Sequence, residues 1–553
     1  MGKSKRNPSV LALELSIRYY DLTIQGSKRF VFEFRKNGYF VGWFTFSSDC
    51  SSFIGLEIAW QTSAALIGMI ANTPRRSGFL SRFRFSGKTC FQLGLTLVLL
   101  FCQAVGVGLG QDAQVVDPKP YGFDIPAGAV RLGRGERVTT VDPAGRSVVA
   151  KVYVTIGDYQ VLLLPDGQLA ALPASQSRFT ERPFVSEAKE SLSKRLTARG
   201  PLVGFRTRVT DDYVFIYNTS EEFETVTRRI LGRMLPAMRG YAKNRDIETV
   251  APEVPLVVVM FRTEEEFQNY RRMPRGVVAY YNTLSNQVVM YEESRLNETN
   301  PDVAKQQRLS TIAHEGVHQV LHNIGIQQRL SRWPMWISEG LAEYFAPTSV
   351  GRYSRWKGAG QVNDLRMFEM EQYLKGQSQT EFDGHWVQET VCAQRLTSTG
   401  YASAWALTNY LAKNRRIQFA AYWKDIIQLG PFQGNYPALQ RGMVPQHLVL
   451  FRKHFGTDFK KLEERMFRYL SKLPYDDPFK DHPHYVAEIM IPLGQPKKRQ
   501  ANVFHTTALA QKWSSVVLNE LPANQRGGAT VKIRKFANRA QAVNYARRWQ
   551  SVR

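Results

Sequence analysis

Cysteine is scarce in this sequence, and its distribution is uneven. The 553-residue chain has four, and Cys50, Cys90 and Cys102 all precede residue 103. Only Cys392 stands in the long remainder. One cysteine closes no intrachain bridge, so a disulfide-stapled fold is excluded there. The expectation for Cys392 is a buried single thiol. Acidic residues are also short, 48 against 73 basic, for a formal net charge of +25. That balance favours anionic neighbours such as envelope polymers or acidic surfaces. No nucleic-acid-binding motif accompanies it, and nucleic acid is not expected as a partner. Long apolar runs are absent except at residues 90–109, about the length needed to span a bilayer. The Phe101 before Cys102 is too bulky for a lipoprotein signal.

The apolar run follows Arg75, Arg76, Arg82, Arg84 and Lys88 and precedes Gly108-Leu109-Gly110. Basic, then apolar, then small is a secretory signal pattern, with a cut after Gly110. Its place inside the chain suggests that translation starts at Met69. Residues 69–110 then form a signal peptide, and residues 1–68, which lack clear periodicity, are a non-native extension. The protein is expected in the periplasm, cell envelope or extracellular space. The alternative is an uncleaved signal anchor, which would be the chain's only contact with a membrane.

What is present is concentrated at residues 309–347. His314-Glu315-Gly316-Val317-His318 is followed by Glu339-Gly340-Leu341-Ala342-Glu343. Residues four apart lie one above the other on a helix, so His314 and His318 can aim two imidazoles at one ion. Zinc takes imidazole nitrogen readily, and catalytic zinc sites usually keep three protein ligands plus water. Glu339 is the best candidate for the third. Met335–Phe345 reads as a second helix that returns it to the first. Glu315 sits beside the ion rather than on it, placed to take a proton from water that zinc makes acidic, with a pKa lowered towards ~7. Glu343, one turn after Glu339, is placed to accept the second N–H of a ligating histidine. His322 continues the four-residue spacing, but eight residues of helix rise roughly 12 Å. It is expected to pack or hydrogen-bond, not to share the metal with His314.

His314-Glu315-x-x-His318 with Glu339-Gly340-x-Ala342 is similar to the gluzincin metallopeptidases, the clan of thermolysin and aminopeptidase N. More closely, about residues 211–470 resemble the bacterial domain-of-unknown-function family 1570. The resemblance implies one zinc ion on His314, His318 and Glu339, with Glu315 as general base. It also implies a tyrosine that steadies the oxyanion. Tyr401, 62 residues after Glu339, is the candidate, and His385 is a weaker alternative. The hairpin at residues 276–292, turning at Ser285-Asn286, is implied to supply the sheet edge that binds extended substrate. The amine-recognition motif of the aminopeptidases is missing, which favours an endopeptidase.

The fold expected is α+β: a thermolysin-like domain at residues 211–475, with a mixed sheet, the HExxH helix and a helical C-terminal half. It is preceded by a small β domain of about five strands at residues 111–185, in an accessory role, and a linker at 186–210. A βαβα module at 484–553 follows. The expected function is that of an exported zinc peptidase acting on peptide or protein substrates. The rivals are an inactive binding protein of the same fold and an envelope scaffold working through its terminal modules.

Overall fold

The computed structural model describes residues 15–24, 27–36, 39–47, 114–293, 301–349, 354–375, 382–434, 446–491 and 498–551. They form two compact units, residues 1–113 and 114–553. In the first, β1 (Leu15–Ile24), β2 (Ser27–Lys36) and β3 (Tyr39–Ser47) make an antiparallel meander. Residues 1–68 thus do contain regular structure. The alternation of Phe30, Phe32 and Phe34 with Val31, Glu33 and Arg35 is its period-two signal. The signal-like stretch at 69–110 lies outside the described residues. Among those described, no helix is long and apolar enough to cross a membrane.

The second unit opens with a curled antiparallel sheet. Its strands are β4 (Val115–Val116), β5 (Gly128–Leu132), β6 (Arg137–Val141), β7 (Ser147–Ile156), β8 (Tyr159–Leu163), β9 (Leu169–Pro173) and β10 (Arg178–Phe179). The long strand β7 pairs with β5, β6 and β8, and its register with β8 shifts at Val152/Val154. Such irregularities bend a sheet, and here two apolar clusters form. One holds Val138, Ala150 and Leu162; the other holds Val154, Ile156 and Val161 and also takes in Leu330 and Phe432 from later in the chain. The sheet has seven strands rather than about five; the extra two, β4 and β10, are of two residues each and too short to leave a sequence pattern. Helix α1 (Lys189–Ala198) follows. It is tied to the β domain where Arg195 meets Glu187 at 2.8 Å and Asp166 at 2.9 Å.

The central sheet has the order β11-β12-β13-β15-β14. These strands are β11 (Arg206–Val209), β12 (Tyr213–Tyr217), β13 (Leu256–Thr263), β14 (Ala279–Asn282) and β15 (Gln287–Glu293). The middle three are parallel and the outer two antiparallel. Both faces are covered, as the near-continuous apolar strands require. Phe215, Val258 and Met260 enter the main core with helix α2 (Glu221–Lys243). Ile216, Val259 and Phe261 pack with α1 and helix α3 (Glu264–Tyr270).

The helical half runs from α4 (Pro301–Asn323) and α5 (Met335–Phe345) through the short strands β16 (Thr348–Ser349) and β17 (Arg355–Trp356). It continues with α6 (Asp364–Lys375), α7 (His385–Cys392), α8 (Ser398–Asn414), α9 (Arg416–Ile427), α10 (Gln446–Phe455) and α11 (Phe459–Leu470). Trp336, Trp405 and Trp423 are fully buried within it. The C-terminal module is β18 (His484–Ile491), β19 (Lys498–Phe504), α12 (Thr507–Glu520), α13 (Ala523–Arg526), β20 (Thr530–Phe536) and α14 (Arg539–Ser551). Its sheet has the order β19-β18-β20. Val486 packs with Ala542 and Ala546 of α14, while the adjacent Ala487 packs with Ala510 of α12, so the two helices cover opposite faces. The added strand, against the βαβα expectation, is β19, whose start (Lys498-Arg499-Gln500) is too polar to read as a strand. The molecule is α+β, as the sequence predicts.

Candidate metal centre

Two glycines let the site assemble. A Cβ on Gly316, within the HExxH turn, would lie 2.3 Å from Leu231 Cδ2, so α4 packs closely on α2 there. A Cβ on Gly340 would lie 2.2 Å from Thr408 Oγ1 and 2.7 Å from the Ala404 carbonyl oxygen. The second neighbour is rigid backbone, so only glycine permits α5 to lie this close to α8. That seating aims Glu339 back at α4.

His314 Nε2 and Glu339 Oε2 are 3.1 Å apart, His314 Nε2 and His318 Nε2 3.2 Å, and His318 Nε2 and Glu339 Oε2 3.4 Å. A tetrahedral zinc with bonds of 2.0–2.2 Å needs donor atoms about 3.4 Å apart. The three side chains therefore span the base of one tetrahedron and leave the fourth direction free. Among the described residues they are the group placed to hold a metal ion. Two imidazole nitrogens and a carboxylate oxygen in mutual contact need a positive charge between them.

The electrostatics express the same demand. Glu343 Oε1 lies 3.1 Å from His314 Nδ1, so His314 has a carboxylate at each ring nitrogen. Burial opposes an imidazolium here, but the hydrogen bonds to Glu339 and Glu343 outweigh it and raise the pKa well above 6.5. Burial likewise pushes Glu339 upward, yet the neighbouring His318 and His314 hold it far below the usual carboxylate range. A metal ion would replace the proton on Nε2, while the Nδ1–H donates to Glu343 and fixes the tautomer.

Glu343 is itself held. Arg366 Nη2 donates to Oε1 at 2.7 Å and Asn363 Nδ2 to Oε2 at 2.8 Å. Burial raises the Glu343 carboxyl, and the Arg366 charge with the His314 hydrogen bond brings it down to about 2. Arg366 and Asn363 carry no sequence motif and were not anticipated. Helix α6, which carries Arg366, is clamped by the C-terminal module. Arg539 Nη2 donates to Glu371 at 3.0 Å, and Phe368 meets His505 with ring centroids 4.8 Å apart. If His314, His318 and Glu339 hold a metal ion, replacing Arg366 by Met should weaken its binding by up to about 10- to 100-fold, because Arg366 holds the Glu343 carboxylate that faces His314. Competition titration with a chromophoric chelator measures this; unchanged affinity would remove Arg366 from the site's support.

Glu315 lies beside the triad. Its Oε2 accepts the Tyr281 backbone N–H at 2.8 Å. Burial raises its pKa, against a smaller opposing pull from His314 and His318. Tyr281 is on β14, one of the two edge strands of the central sheet. The turn after β14 is made by Asn282, whose Oδ1 accepts from the Leu284 and Ser285 N–H groups, and by Asn286 at φ 58°. Tyr291 N–H donates to the Val278 carbonyl, so antiparallel alternation turns the N–H and C=O groups of Ala279 and Tyr281 away from β15.

Tyr401, near the start of α8, has its ring centroid 6.0 Å from that of His314. Burial, then the charges of Glu339, Glu315 and Glu343, push its pKa to about 12, so it keeps its proton at neutral pH. His385 is exposed, lies 3.4 Å from Glu389 and is not among the residues lining the cleft. His322 points its Nδ1 at the Gln327 carbonyl at 3.0 Å and stacks on Tyr281, with centroids 5.4 Å apart. Burial lowers its pKa to about 3.

These groups surround a cleft of about 500 Å³. His314, Glu315, His318, Glu339 and Tyr401 line it together with Pro120 and Tyr121 of the β domain. That domain is fixed in place: buried Arg329 donates 2.7 Å hydrogen bonds to the carbonyls of Gly167, Thr283 and Leu284. A domain expected to be accessory therefore forms part of the cleft wall.

Residues 308–433 match the family described as "Protein of unknown function (DUF1570)". That stretch contains α5, α6, all three donor residues, Glu315, Arg366 and Tyr401. No curated protein matches the chain.

Proposed function

We propose that this protein is a zinc-dependent peptidase of gluzincin type, with a thermolysin-like catalytic domain, exported from the cell. One observation carries the reading: three donor atoms at 3.1–3.4 Å separations share a cleft with a carboxylate, Glu315, that is bound to the edge strand rather than to the donors. Zinc held by His314, His318 and Glu339 would act as a Lewis acid and bring the pKa of water from 15.7 to about 7. The chain's own residues supply the rest. Glu315 takes a proton on its carboxylate and later returns it to the leaving amine. The Tyr281 N–H fixes its orientation without closing its second oxygen. The outward-turned Ala279 N–H and C=O, with the Tyr281 C=O, offer an extended peptide a strand to pair with. Tyr401, still protonated, donates its O–H where charge develops on the substrate oxygen.

Export is inferred from the segment at residues 69–110, and N-terminal sequencing of native protein tests it. The activity is tested by zinc analysis of purified protein followed by digestion of a diverse peptide library. Protein that binds zinc stoichiometrically but cleaves nothing would be the inactive binding protein. Tyr401→Phe should reduce kcat about 10²- to 10³-fold, the effect of removing one oxyanion donor, with KM little changed. An unchanged kcat would take Tyr401 out of the mechanism.

A further inference from the structure

The C-terminal module has a charge pattern that neither its packing nor the peptidase reading uses. Residues 484–553 carry twelve Lys and Arg against two acidic residues, Glu488 and Glu520. Glu488 is buried and already accepts from Arg534 Nε at 2.7 Å. Register divides the charge between two ends. His484 of β18 pairs with Phe536, and Tyr485 with Phe504. That end docks on the peptidase domain: Arg539 meets Glu371 at 3.0 Å and Asp477 at 3.1 Å, and Lys375 Nζ donates to the Val503 carbonyl at 3.1 Å. At the opposite end Ile491 pairs with Lys498, Met490 with Arg499, and Glu488 with Lys532. Helix α14 runs from the docked end to this one, bringing Arg547 and Arg548 there. Arg499 lies over Trp549 at 5.6 Å and donates to its carbonyl. Lys498, Lys532, Arg547 and Arg548 are exposed, and among the described residues neither these four nor Arg499 forms an ion pair with a carboxylate; Glu488 pairs its charge with Arg534.

We propose that this far end of the module is a docking surface for a linear anionic polysaccharide. Charge complementarity fixes the sign of the partner, and the surface chemistry narrows its class. Nucleic acid without sequence readout is held by exposed aromatic platforms. Here Trp513 packs on Phe504, Tyr545 on Phe536, and Trp549 under Arg499. A bilayer surface favours aromatic or aliphatic anchors among its basic residues. Among the described residues of the module, Val531, at 37%, is the only exposed large apolar side chain. What remains is a surface read by charge alone. It suits a flexible chain of carboxylate or sulfate groups that supplies neither bases to stack nor acyl chains to bury. The surface would hold such a polymer next to the catalytic domain, concentrating the enzyme on matrix-bound substrates.

The test uses full-length protein and fluorescently labelled heparin at 50 mM salt. The triple variant Lys532→Glu/Arg547→Glu/Arg548→Glu should bind at least 30-fold more weakly and with a shallower salt dependence. Arg465→Glu/Arg468→Glu/Lys472→Glu, which reverses three exposed charges on and just after α11, should stay within threefold of wild type. Both variants should keep the wild-type melting temperature. No binding by the wild type, or equal losses in the two variants, overturns the proposal. Tighter binding to single-stranded DNA or to phosphatidylglycerol vesicles than to heparin also overturns it, by assigning the surface to another class of partner.

Discussion

Glu315→Gln should lower kcat by about 10²- to 10⁴-fold, the contribution expected of a positioned general base. Zinc content and melting temperature should stay at wild-type values. The substitution is close to isosteric, and the amide oxygen can still accept the Tyr281 N–H that the carboxylate accepts at 2.8 Å. None of the three donor atoms belongs to Glu315. What is lost is the ability to hold a proton and give it back. An effect on kcat with KM near wild type would mark an interaction made in the transition state rather than in substrate binding. In the wild type, kcat/KM should also fall on the acid side, as protonation of Glu315 removes the base. If wild type and Glu315→Gln digest a peptide library equally, catalysis does not run through this cleft.

Why was this residue readable in the sequence while its supports were not? Two imidazoles on one ion and a base beside it demand fixed residue types at helical spacing, and His314, Glu315 and His318 satisfy that within five residues. Glu339 and Glu343 repeat the logic on a second helix. Arg366 and Asn363 reach Glu343 from a different helix, at a distance set by how α6 packs. Nothing local constrains where along the chain such a partner must lie. Gly340 illustrates the same limit. Its identity follows from the Ala404 carbonyl 2.7 Å from where its Cβ would be, a contact with a residue more than sixty positions away. Tyr281 was visible as part of a hairpin, but its contribution to Glu315 is a backbone N–H, which every non-proline residue has. Turn residues announce the hairpins of the β domain, as at Asp142-Pro143-Ala144-Gly145 and Pro165-Asp166-Gly167, where Gly145 and Gly167 stand at positive φ. Its share in the cleft was invisible, because Leu330 and Phe432 join its core from far along the sequence. Strands β4 and β10, two residues each, lie below the length at which alternation can be recognised.

If His314, His318 and Glu339 hold zinc as proposed, chelating it should destabilise the protein strongly, and more so as pH rises. A ligand present at a thousand times its Kd stabilises the folded state by about 4 kcal/mol. At roughly 2–4 °C per kcal/mol for a domain of this size, the melting temperature should drop by about 8–16 °C. The pH dependence follows from the shifts at the site. The folded pKa of His314 is raised well above 6.5 in the metal-free protein. Its contribution is therefore complete below the unfolded pKa and is lost as pH rises through the folded one. Glu339 and Glu343 are lowered from 4.5, so theirs is present above about 4.5 and is lost as pH falls through their folded values. Between these limits a proton on His314 stands in for the metal, and the chelated protein keeps part of its stability. Above them the chelated protein has two buried carboxylates around an uncharged imidazole, while the zinc-loaded protein still has a cation there. The gap in melting temperature between loaded and chelated protein should thus widen from pH 6 to pH 9 and narrow below pH 6, where protons compete for the ligands. His318→Ala, which removes one donor, should melt at nearly the same temperature with and without chelator. Differential scanning fluorimetry across that pH range measures all of this. A wild-type melting temperature that ignores chelator at pH 8 would mean that His314, His318 and Glu339 hold no metal that matters to the fold.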